Sequence, residues 1–95
     1  MHVLALRFDL RLPGVRSLKE KRSVVRPVVE GLRARHHLSV AEVDHQDSWR
    51  EAAIGVAIVS GSARHCDEVA AEVERFVWSR PDLEVVDTIR MWLDE

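Results

Sequence analysis

Several features that would define a function are missing from this sequence. It has one cysteine, Cys66, so no internal disulfide can form. It has no glycine-rich phosphate loop, no zinc-type ligand spacing and no serine nucleophile elbow. No apolar run approaches membrane-spanning length, and Arg7 and Asp9 interrupt the first hydrophobic segment. Strand-like sequence begins almost at once, so neither a secretion signal nor a membrane partner is expected, and the expected location is the cytoplasm. What remains is an ordinary globular balance, 46% hydrophobic and 32% charged. Over 95 residues this predicts a single domain spanning 1–95 with a modest core.

The patterning then predicts six elements. Residues 3–12 alternate, with Leu4, Leu6, Phe8, Leu10 and Leu12 on one face and Arg7, Asp9 and Arg11 on the other. That is a half-buried strand, ended by Pro13-Gly14. A helix follows from about Leu18 to Arg35, with Leu18, Val24, Val25, Val28, Val29 and Leu32 on its core arc. Pro27 and Gly31 weaken it, but the valines around Pro27 carry the helix through. Leu38 to Gln46 reads as a second strand, with Ala41, Val43 and His45 on one face and Val40, Glu42 and Asp44 on the other. Ala52 to Ser60 reads as a third, pointing Ile54, Val56 and Ile58 inward. A second helix from about Ala63 to Ser79 carries the stripe Cys66, Val69, Ala70, Val73, Phe76 and Val77. Leu83 to Leu93 closes the chain as a strand, with Val85, Ile89, Met91 and Leu93 sharing a face. The order β-α-β-β-α-β is the ferredoxin-like α+β plan: a four-stranded antiparallel sheet with two helices on one face.

The charge is concentrated in one place. Net charge is −2, yet residues 16–35 hold seven basic and two acidic side chains. Such polarity orients a molecule toward an anionic partner. Ser17 and Glu20 form a capping-box pattern at the helix entrance, among Arg16, Lys19, Lys21 and Arg22. Helix N-termini favour anions. Lys19, Arg22, Arg26 and Arg33 fall within a sector about 60° wide beside the core arc. Lys21 projects into the arc itself, where it either snorkels or lines a site at the helix–sheet edge.

Pro13-Gly14-Val15-Arg16-Ser17-Leu18-Lys19-Glu20-Lys21-Arg22-Ser23-Val24-Val25, then Ser39 through Asp47, and Ser79-Arg80-Pro81, resemble the bacterial YlxP-like domain-of-unknown-function family. The resemblance spans essentially the whole chain. It implies a ferredoxin-like fold and a small cytosolic bacterial protein. It also implies a role near RNA or the ribosome, because genes of this family often lie among those of translation initiation and ribosome maturation. The family has no assigned catalytic residues to transfer, and Pro27 and Gly31 are local departures from it.

Two function classes follow. In the first, Arg16, Ser17, Lys19, Lys21, Arg22 and Arg26 form a nucleic-acid or anion-binding surface on a noncatalytic module, with ribosomal RNA or a ribosomal subunit as partner. The competing reading is a solvated charged face. In the second, the chain is a homo-oligomeric interaction module or a regulatory ligand binder. The outward positions of the central strands, among them Val3, Ala5, Gly55, Ala57 and Val59, are small or apolar and none is aromatic. That disfavours base stacking on the sheet and suits a homodimer through it, with Trp92 covering part of the same face. Asp44, His45, Asp47 and Trp49 form a polar cluster suited to a partner-binding loop or to plain turn chemistry. Asp44 and His45 are neighbours on a strand and point apart, so no metal is expected there. Cys66 lies on the apolar stripe of its helix, not in the electropositive, exposed setting a reactive thiolate needs. We expect no enzyme and no cofactor.

Overall fold

The computed structural model describes residues 1–93, and the alternating first segment lies at its centre. β1 (His2–Arg11) buries Leu4, Leu6, Phe8 and Leu10 and leaves its odd-numbered side chains at least partly accessible. It pairs antiparallel with β3 (Glu51–Ser60) on one side and β4 (Glu84–Leu93) on the other. β2 (Ser39–Asp44) extends the sheet beyond β3, giving the order β2-β3-β1-β4. α1 (Leu18–His36) and α2 (Ala63–Trp78) cover one face, completing the ferredoxin-like plan.

The core lies between the helices and the covered face of the sheet. Phe8, Val28, Leu32, Ile54, Ile58, Val73 and Val77 are fully buried there, with Cys66 beside them. α1 runs unbroken through Pro27 and ends at His37, whose left-handed φ of 53° lets its N–H reach the Arg33 carbonyl at 2.9 Å. Val25, Val28, Val29 and Leu32 occupy the core arc as expected. Leu18 does not: it opens the helix and is 38% exposed.

Two β-bulges revise the expected side-chain pattern. In β2 the register with β3 slips between Glu42 and Asp44, leaving Val43 as the extra residue. Asp44 therefore leaves the face of Val40 and Glu42 and crosses to the open face. Val43 lies across Gly55 so closely that a Cβ at that glycine would come within 2.8 Å of it. In β4 the slip falls opposite Asp9 and Leu10, with Val86 as the extra residue. Val85 then packs against the core, while Ile89, Met91 and Leu93 turn to the open face opposite Arg7, Ala5 and Val3. Trp92, expected on the open face, pairs with Leu4 and so points to the helical side.

Lys21 fastens these parts together. It is the sole charged residue among the buried ones described, at 3% exposed. Its ammonium donates to the carbonyls of His45 at 2.7 Å and Ser48 at 2.6 Å. Glu42 Oε2 lies 2.8 Å away, and it has no other partner among the described residues. One side chain thus joins the first turn of α1 to β2 and to the loop leading into β3. Replacing Lys21 by Met leaves that carboxylate and both carbonyls uncompensated. Glu42 retains some solvent contact, so the expected loss is about 2–3 kcal/mol, at or below the low end for a broken buried pair. Urea unfolding checks it. Adding Glu42→Met should recover part of the loss, whereas strict additivity of the two changes would mean the pair is uncoupled.

Candidate nucleic-acid interface

The entrance to α1 follows the capping pattern with one change. Ser17 Oγ accepts from the Glu20 N–H at 3.1 Å, but Glu20 Oε2 accepts from the Arg16 N–H at 2.6 Å rather than from Ser17 itself. The anion that a helix N-terminus favours is therefore supplied from within, by Glu20. Ser17 is exposed but engaged as the cap, and Lys21 is buried, so Lys21 does not belong to an accessible anion surface.

Arg16, Lys19, Arg22 and Arg26 are all exposed. Lys19, Arg22 and Arg26 are spaced three and four residues apart and form one flank of the helix. Among the described residues no guanidinium or ammonium of these four forms an ion pair with a carboxylate, whereas those of Arg7, Arg11, Lys21, Arg64 and Arg90 each do. Arg22 and Arg26 border two depressions. One, of about 250 Å³, lies against β2 beside Glu42 and Gln46. The other, of about 450 Å³, adds Lys19, Ser23 and Pro27. Arg33, in the same angular sector, donates to the Val40 carbonyl at 2.6 Å and ties the helix to the edge strand.

The polar cluster after β2 divides in two. Asp44 Oδ2 lies 3.3 Å from Arg7 Nη2, and the same guanidinium also holds Asp9 at 3.0 Å. The His45 N–H donates to Asp44 Oδ1 at 2.8 Å. That backbone bond, and then Arg7, hold the Asp44 carboxyl below its ordinary pKa. Asp9 and Asp44 in turn hold the Arg7 guanidinium above its own. His45 takes a φ of 61°, which carries its ring to the same face, with Nε2 3.9 Å from Asp9 and Nδ1 3.5 Å from Glu51. Asp44 and His45 thus point to one face, not to opposite faces. Even so, no cluster of three metal-ligating side chains is assembled among the described residues. Ala53, opposite both Asp9 and Asp44, is fully buried although it sits on the open side. Asp47 and Trp49 stay at the loop tip, with Trp49 39% exposed and the Arg50 guanidinium 5.1 Å from its ring centre. Arg7 and Glu42, central to these networks, were not singled out in the sequence. The available signal was Lys21 in an apolar arc, which requires an inward carboxylate or carbonyl somewhere.

A family profile described as a protein of unknown function, DUF503, matches residues 3–90. The uncharacterized protein YlxP of Bacillus subtilis (strain 168) is 32% identical over 76 residues, covering 80% of this chain and 83% of that one. Among solved structures, Rv0793 from Mycobacterium tuberculosis superposes with a TM-score of 0.59 at 12% identity, over 100% of this chain and 95% of that one. SnoaB, a cofactor-independent oxygenase from Streptomyces nogalater, gives a TM-score of 0.50 at 9% identity, over 99% and 91%. At such identities the likeness is one of fold alone.

Asp44 generates a pH prediction. Its pKa is lowered in the folded state, so its stabilising contribution is complete above the ordinary carboxylate range. The contribution fades as pH falls through the folded value. Asp44→Asn removes it. The stability gap between wild type and this variant should stay constant near neutrality and close in acid, read from urea midpoints across pH. A gap independent of pH would contradict the assignment.

Proposed function

The chain belongs to the DUF503 family of proteins of unknown function, and from that premise we propose a noncatalytic RNA-binding module. It seats the outer flank of α1 on backbone phosphates, with Lys19, Arg22 and Arg26 as the positioning contacts and Arg16 at the entrance. The observation that carries this reading is the set of exposed cations without carboxylate partners, gathered on one helix flank of an otherwise acidic protein. Guanidiniums and ammoniums so placed bind phosphate with little sequence preference, which suits a structured RNA read through its backbone. Ribosomal RNA is the partner to test first, in keeping with the family resemblance.

The test is binding to purified small ribosomal subunits across a salt series. Affinity should fall steeply with salt. Replacing Lys19, Arg22 and Arg26 together by Gln should flatten the log–log salt slope by roughly 2–3, one phosphate contact per cation removed. Absence of binding at low salt defeats the reading.

A second reading rests on a separate observation. Val43, Val59, Ile89, Met91 and Leu93 are 39–67% exposed, and all belong to the strands whose open face no helix covers. Contiguous apolar surface of this kind serves as an interaction site, and a second copy supplies a matching face through two-fold symmetry. Sedimentation equilibrium should then show a mass above the 10.9 kDa of one chain, rising with concentration. Val59→Lys with Met91→Lys should return it to one chain. A wild type that stays at one chain's mass over the whole range rules this reading out.

A further inference from the structure

The opposite flank of α1 holds a different concentration of charge. Helical rotation separates Arg35 from Lys19, Arg22 and Arg26 by roughly 140–180°, and Arg35 faces α2 instead. There Phe76 rests its ring tip on Gly31, where an added Cβ would meet ring atom Cζ at 2.7 Å. The ring is thus set against the backbone of α1, and guanidiniums gather around it. Arg35 lies 4.8 Å from the ring centre and Arg80 5.7 Å. Together with Arg75 they line an open cavity of about 670 Å³ along the seam of the two antiparallel helices, between the last turn of α1 and the last two turns of α2. That volume falls within the usual range for small-molecule sites, roughly 300–1,000 Å³.

The charge balance of this cavity is incomplete. Its one carboxylate, Glu72, lies 3.4 Å from His36 Nε2, and no described carboxylate pairs with Arg35, Arg75 or Arg80. The helix ends account for part of the positive charge: each C-terminus presents roughly half a negative charge. Two such ends and Glu72 offset about two of the three guanidiniums at most, and salt and water weaken the offset from helix ends. Arg80 is also partly desolvated, because its Nε is buried and donates to no described group. Cation–π contact orients Arg35 and Arg80 but neutralises neither.

We propose that this cavity is a site for a small, multiply charged phosphate compound, a phosphomonoester or a diphosphate, gripped by Arg35, Arg75 and Arg80. Guanidiniums present planar, paired donors that match phosphate oxygens. Phe76 serves as the fixed platform that orients two of them. The site is independent of the RNA-binding flank.

The test titrates the intact protein with inorganic pyrophosphate at low ionic strength. Calorimetry gives the affinity, and the Nε–Hε resonances of the arginines give the location. Saturable binding should shift the signals of Arg35, Arg75 and Arg80. Arg75 and Arg35 are both exposed, so Arg75→Gln and Arg35→Gln are expected to leave the fold intact. Each should weaken binding roughly tenfold or more, as expected for loss of a charged hydrogen bond. The triple Lys19, Arg22 and Arg26 to Gln variant should bind pyrophosphate as the wild type does. Three results would overturn the proposal: no saturable binding, affinity unchanged in both arginine variants, or equal loss in the triple variant.

Discussion

The ammonium of Lys21 is the constraint on which the rest of the surface depends. A charge at 3% exposure is tolerated only when every proton has a partner. Two backbone carbonyls and the Glu42 carboxylate supply three partners. Meeting that requirement fixes the first turn of α1 over the edge of the sheet and fixes the course of the loop after β2. The loop conformation then sets His45 at positive φ and aims its N–H at Asp44. A side chain that looks like part of a basic patch is an internal fastening, and the patch is what remains outside it.

Much of this was legible in the sequence. The alternation of β1, the periodicity of both helices and the Ser17 cap each rest on local rules, and local rules are what a single chain displays. The element order then leaves few topologies. Most of the misplaced strand positions share one cause. Trp92, Asp44 and the pairing of Val85 with Ile89 all follow from a bulge, and a bulge is set by register between strands rather than by the residues within one. Nothing in Glu42-Val43-Asp44 marks Val43 as the extra residue until β3 is laid beside it. The candidate cations were visible as residue types, but whether each had a partner was not. That question depends on which carboxylates the fold brings near.

The bulges also shape the two faces of the sheet. Without the slip in β4, Ile89, Met91 and Leu93 would point toward the helices and Thr88 and Arg90 outward. With it, Arg90 reaches α2 and holds Glu74 at 2.6 Å and Asp67 at 3.2 Å, while the apolar side chains turn to the open face. One irregularity thus ties the edge strand to a helix by charge and leaves the far side apolar. The slip in β2 does the reverse. It brings Asp44 onto the open face, where Arg7 neutralises it and where Ala53 is covered. The open face is therefore polar at the end where β2 leaves it and apolar toward Val3, Val59 and Leu93.

An acidic protein can present a cationic flank because much of its negative charge is paired elsewhere. Glu74, Asp67, Glu84, Asp9, Asp44 and Glu42 each lie against an arginine or Lys21, and Glu20 is held by the helix entrance. Paired charges of opposite sign project weak fields beyond their own contact. At about 0.1 M salt the screening length is about 10 Å, so distant carboxylates act little on a cation across the molecule. Net charge is then a poor guide to what approaches α1. What matters is the local sum within one screening length. On the outer flank of α1 Lys19, Arg22, Arg26 and Arg33 outnumber Glu30, the one carboxylate that shares their sector, and no described carboxylate forms an ion pair with Lys19, Arg22 or Arg26.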